Sequence, residues 1–231
     1  MLPADLLTAE ADVLGALRSA LPTAARGRWT VELRFEGLRL LAPVLRLARA
    51  LQAEGLPLRL LFADAGAAAL ARRDGTDLAA AIASFSDALR TARQSGESSS
   101  DLLLLVAPAQ PDYAEVEALC EGHGGSVVLI NPSLEDAAIG IGSVARQRRR
   151  GFLAGWSAAY ALIPSGSSAL RRCHPGDWEL YRLDADGYRP VATFPQKPDS
   201  EQQEQALSGG EAPGLAATLR SVDRLLEGLQ N

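Results

Sequence analysis

The sequence predicts an α/β fold of three layers: a mainly parallel sheet with helices on both faces, extended by a C-terminal antiparallel meander. Three observations predict it. Between residues 29 and 131, strand-like and helix-like segments alternate, as parallel βαβ units require. Two of the strand-like segments, "LLLLVAP" (102–108) and "SVVLIN" (126–131), are apolar without interruption, as strands buried on both faces are. After residue 156 the pattern changes to short alternating runs around "DADG" (184–187), a hairpin signal.

The elements follow in order. Leu6, Leu7, Val13, Leu14 and Leu17 recur at helical spacing, so residues 3–20 form an amphipathic helix. "WTVELRF" (29–35) alternates at the strand period. Pro43 suits a helix start and Gly55 a helix stop, which places a helix over 43–54. "LPLRLLF" (56–62) is a second strand, and Asp64 is a natural N-cap for the helix opening "DAGAAALARR". Residues 77–93 form an Ala-rich helical patch, and "QSGESSSD" (94–101) is a polar, turn-prone loop. "DYAEVEALCEGHGG" is a helix with a glycine stop between the two apolar strands, and a helix follows at about 143–155. "YALIP", "ALRRCHP", "WELYRLD" and "YRPVATFP" form the meander, and "LAATLRSVDRLLEGL" closes the chain as an amphipathic helix. One domain is expected over 1–231. It comprises an N-terminal helix (1–24), strand–helix repeats (28–156), antiparallel strands (157–197) and a polar segment with the C-terminal helix (198–231).

Composition narrows the function. The 231 residues are 47% hydrophobic, enough for a sizeable core, and the net charge of -5 argues against a nucleic-acid binder. Of the 23 basic residues only Lys197 is a lysine, and arginine favours planar contacts with carboxylate or phosphate. No apolar run approaches the roughly 20 residues of a membrane span, and "MLPADLLTAEADVL" is not a signal peptide. A soluble, cytosolic protein with at most peripheral membrane association is expected. Cys120 and Cys173 make no disulfide framework. With His123 and His174 they would be a zinc set only if Cys173 and His174, adjacent on a strand, pointed to one face, and a strand forbids that. No metal site and no catalytic residue is assigned.

Ligands in open α/β sheets bind beyond the carboxyl ends of the strands. Those ends carry Asp64 and Gly66, then Pro108 to Asp112, then Asn131, Glu135 and Asp136. Capping and turn roles are the first reading for each. The stretch "NPSLEDAAIGIGSVARQRRRGF" (131–152) adds Gly140, Gly142, Ser143, Arg146, Arg148 and Arg149. Amides at a helix start beside arginines suit a phosphate or carboxylate. The dinucleotide fingerprint and the Walker motif are both absent. Three readings stay open for this stretch: a turn entering a helix, an anion or partner contact built on that turn, and an acid catalytic cluster.

Four stretches in combination resemble a known family: "ELRFEGLRLLAPVLRLARAL", "LLFADAGAAALARRD", "NPSLEDAAIGIGSVARQRRRGF" and "CHPGDWELYRLDADGYRPVATFPQKP". They are similar to the domain-of-unknown-function family numbered nineteen-ninety-five, over about residues 5 to 205. That family occurs in cyanobacteria and chloroplasts. Its members include a stromal protein of photosystem II assembly and a domain fused to a chloroplast adenylate kinase. The resemblance implies a non-catalytic accessory protein on the cytoplasmic or stromal side of the thylakoid. Its partner would be a photosystem subunit or assembly factor, docked on the segment from Gly140 to Arg150. The alternative is a domain binding a nucleotide or other phosphate-containing ligand. No cofactor is implied.

Overall fold

The computed structural model describes residues 1–96, 99–134 and 151–209. The chain runs α1 (Leu6–Ala20), β1 (Arg28–Leu33), α2 (Leu41–Ala53), β2 (Leu58–Phe62), α3 (Ala65–Asp74), β3 (Ile82–Ser84), α4 (Phe85–Ser95), β4 (Leu102–Val106), α5 (Tyr113–Glu121) and β5 (Val127–Ile130). It continues with β6 (Ser157–Ser165), β7 (Ser168–Cys173), β8 (Trp178–Asp184), β9 (Gly187–Phe194) and α6 (Ser200–Leu207). The strands form one sheet in the order β3-β2-β4-β5-β1-β6-β7-β8-β9. The six strands from β3 to β6 are mutually parallel, and β6 to β9 pair antiparallel. The predicted α/β sheet with its meander is the fold observed.

Chain direction explains the layers. From β1 the chain moves toward the β3 edge; from β3 it moves back across the sheet. Right-handed crossovers put the helices of the two legs on opposite faces. One core joins α1, α2 and α3 to Val31, Leu60, Leu104, Val106, Val128 and Ile130. The other joins α4 and α5 to Leu61, Leu103, Leu105, Val127 and Leu129. Alternate residues of β4 and β5 therefore enter different cores, and this is why both strands are apolar throughout. Burying one such leucine contributes about 2 kcal/mol. A third core packs Leu170, Trp178 and Leu180 of the meander against Ala206 and Leu207 of α6.

Three elements depart from the sequence reading. Helix α2 begins at Leu41, with Pro43 its third residue. Proline has no cost there, because the first four N–H groups of a helix have no intrahelical partner. The patch at 77–93 splits into a 3-10 turn at Thr76–Ala81, the short strand β3, and α4. Ile82–Ser84 is a strand only because it pairs with Leu60–Phe62 of β2. The segment from 198 contains α6, opened by a capping box between Asp199 and Gln202. β6 pairs parallel with β1 and antiparallel with β7, so it joins the parallel strands to the meander expected over 157–197. Of the helix expected at about 143–155, residues 151–154 are described and helical. The helix expected near the C-terminus lies outside the described residues. Among those residues no helix is long and apolar enough to cross a membrane.

Candidate functional site

The carboxyl ends of the parallel strands lie along one edge, as expected. The chain leaves β2 toward α3 on one face and β4 toward α5 on the other, so a topological switch point falls between these neighbours. Asp64 stands at that point. Its carboxylate accepts the N–H of Ala67 at 2.8 Å and so caps α3. A methyl added at Gly66 would sit 3.1 Å from Asp64 Oδ1, so the glycine leaves room for the cap. Across the switch point, Asp112 reaches back to accept the N–H of Ala109 at 2.7 Å. Both acids thus serve local backbone, which was their first reading. Asp64→Ala should cost about 1 kcal/mol in urea denaturation, the usual loss for an N-cap. An unchanged midpoint would remove the capping role.

Asn131 has a part that its sequence context did not reveal. Its side chain accepts the Leu33 N–H at 2.6 Å and donates to the Leu33 carbonyl at 2.8 Å. The amide therefore acts as one more rung of the β1–β5 ladder. Its backbone is left-handed, with φ 49°, and so is that of Ala107 at the equivalent end of β4. The strands kink together there and pair again through Ala109 and Ser133. Asparagine tolerates this conformation, whereas at Ala107 it costs on the order of 1 kcal/mol. Glu135, Asp136, Gly140, Gly142, Ser143, Arg146, Arg148 and Arg149 lie outside the described residues.

Two ionic clusters escaped the sequence reading. Trp29, Val31 and Leu33 of β1 enter the first core, so Glu32 points to the other face, its side chain 10% exposed. Arg34 approaches it at 3.2 Å and Lys197 at 3.5 Å. Arg34 also donates to the Pro132 carbonyl. Lys197 lies 5.6 Å from the centre of the Trp178 ring. The only lysine of the chain thus ties the segment after the meander to the central strand. Parts of "ELRFEG" and "WELYRLDADGYRPVATFPQKP", far apart in sequence, meet at this point.

The second cluster lies beneath α1. Arg171 of β7 donates to Asp12 of α1 at 3.0 Å and to Glu179 of β8 at 2.9 Å. Tyr181 donates to the same Glu179 carboxylate at 2.9 Å. Burial pushes Glu179 up, but the Arg171 and Tyr181 hydrogen bonds outweigh it and hold the carboxyl below its ordinary value. Burial and the adjoining carboxylate push the Tyr181 hydroxyl up to about 12. Tyr160 is fully enclosed nearby, close to Arg171. In both clusters every charge faces an opposite one, and this suits bracing more than proton transfer.

At the opposite edge of the sheet, Arg28 donates to the carbonyls of Cys120 and Gly125, and Arg26 to that of His123. These cations complement the C-terminal end of α5. His123 Nε2 meets the Asp101 carbonyl at 2.7 Å, and burial pulls the His123 imidazole below its ordinary value. Among the described residues no group of three or more His, Cys, Asp or Glu side chains could hold a metal ion.

Among the described residues, two apolar surfaces bear on binding. A cavity of about 160 Å³ lies between α1, α2 and β1, lined by Val13, Leu14, Val31, Leu33, Val44 and Leu47. On the meander, Leu183 and Tyr188 face each other across β8 and β9 and are 44% and 41% exposed. Alternation along β8 puts Leu183 on the face of Glu179 and Tyr181, the face that α1 partly covers. Of the meander's aromatic residues Tyr188 is exposed, whereas Tyr160, Tyr181 and Trp178 are buried.

No curated protein matches the chain. The model of a Domain of unknown function (DUF1995) matches residues 3–205, most of the sequence, and the chain belongs to that family.

Proposed function

We propose that the chain is a non-catalytic accessory protein that binds a protein partner during photosystem II biogenesis. The partner is a photosystem subunit or assembly factor, met on the cytoplasmic side of the thylakoid. The family resemblance supplies the photosystem part of this reading. One observation carries partner binding: the exposed pair Leu183–Tyr188 on a sheet face that α1 leaves open. An aromatic and an aliphatic side chain side by side suit the apolar centre of an interface. Pro190 interrupts the donor row of the edge strand β9, which disfavours indiscriminate strand addition and leaves side chains to make the contact. The strand-end acids Asp64 and Asp112 hold backbone N–H groups, which favours binding over turnover. The basic run Arg146, Arg148 and Arg149 is the second contact of this proposal, steering an acidic partner.

The test is affinity purification of the tagged protein from gently solubilised source cells. It would be run beside Leu183→Glu/Tyr188→Glu and Arg148→Glu/Arg149→Glu. The native protein should recover photosystem subunits or their assembly factors, and each double variant at least tenfold less. Equal recovery with both variants would remove the two surfaces; recovery of no photosystem component would remove the partner class.

A further inference from the structure

We propose that the cavity between α1 and α2 is a binding site for a small uncharged apolar molecule of about the size of benzene. Its volume is about 160 Å³. An engineered apolar cavity of about 150 Å³ in another protein takes benzene or xenon. The wall here is likewise apolar, and the site is half open to solvent beside the exposed Arg46. Val13 and Leu14 come from α1, Val31 and Leu33 from β1, Val44 and Leu47 from α2.

The polar side chains at the wall are Glu10 and Arg46, and they satisfy each other. Arg46 Nε donates to Glu10 Oε2 at 2.7 Å and Nη2 to Oε1 at 2.6 Å. A charged ligand would find no free counter-ion in this bidentate pair, and an uncharged one leaves it undisturbed. Size gives a second restriction. Drug-sized ligands and nucleotides need about 300 Å³ or more, so this site is distinct in chemistry from a phosphate site.

The position supports a role in binding. Pro43 and Arg46 also line a neighbouring outer cleft, with Leu6, Phe35 and Leu38. That cleft lies beyond the carboxyl end of β1, the edge where α/β sheets take ligands.

The test uses benzene as the probe, titrated into the full chain with methyl NMR and thermal melting as readouts. The expected result is saturable shifts confined to Val13, Leu14, Val31, Leu33, Val44 and Leu47, with a rise in Tm that follows benzene concentration. Ala50→Leu fills the cavity from α2 and should weaken benzene binding at least tenfold. Leu14→Phe fills it from α1 and serves if the first variant does not fold. Absence of saturable shifts at the solubility limit of benzene would overturn the proposal, and so would unchanged binding in a folded, filled variant.

Discussion

Arg171→Met is expected to destabilise the protein by about 2–3 kcal/mol at pH 7. Removing one partner of a buried ion pair costs about 3–5 kcal/mol, because the other charge is left without compensation. The Arg171 side chain is 14% exposed, while those of Asp12 and Glu179 are 30% and 32% exposed, so water recovers part of that cost. Methionine keeps most of the volume and isolates the electrostatic loss. The substitution also faces two carboxylates across the space the guanidinium held, and unties α1 from the meander.

The pH dependence follows with a definite sign. The folded Glu179 carboxyl lies below its ordinary value of 4.5, so its contribution is fully present above 4.5. It is lost as pH falls through the folded value. The gap between native protein and variant should therefore be full at pH 7 and shrink below pH 4.5. Urea denaturation at a series of pH values measures both. A gap below about 0.5 kcal/mol would place Arg171 among ordinary surface pairs, and a gap independent of pH would assign the loss to packing.

Gly125→Ala is the second large effect, and it acts through backbone contact. A methyl at this position would lie 2.3 Å from the Ser100 carbonyl oxygen and 2.7 Å from its carbon. Neither atom is the end of a flexible side chain, so the segment before β4 must move. Three bonds depend on that approach. The Gly124 N–H donates to Ser99 O at 3.0 Å, His123 Nε2 meets Asp101 O at 2.7 Å, and Arg28 donates to Gly125 O at 3.1 Å. The expected loss is about 2–4 kcal/mol, the range of overpacking with broken hydrogen bonds. Gly15→Ala is the control. Nothing lies within 4 Å of a methyl there, and alanine in a helix gains up to about 1 kcal/mol over glycine. If both substitutions shifted Tm in the same direction, the close approach at Gly125 would not be the cause.

The legibility of the fold varied with how locally each element is decided. β4 and β5 were plain because five and four consecutive apolar residues admit a strand buried on both faces. α1 was plain because its leucines recur at helical spacing, and α3 because its Asp64 cap precedes a clear helical run. β3 was not, since its three residues sit in an alanine-rich stretch and become a strand only beside β2. α6 carried its own signal, Asp199 with Gln202 three residues on, but that signal was hidden in a polar segment. The candidate site was legible in the same uneven way. Asp64 was readable as a cap, whereas Asn131 was readable only as a turn former, because its partner Leu33 lies 98 residues away.

The sequence by itself therefore determined the class of the sheet, the layers of helices, the change to a meander and the local roles of its capping acids. Each of these depends on periodicity or on neighbours within a few residues, and such patterns are written along the chain. Only the tertiary structure decided the strand order, the switch point between β2 and β4, and the ionic clusters that join α1 to β7 and Lys197 to β1. It also decided which apolar side chains were left bare or left lining a cavity. The reason is that contact partners such as Asp12 and Arg171 are 159 residues apart. No local pattern encodes such a pairing; it exists only once the sheet has brought the strands together.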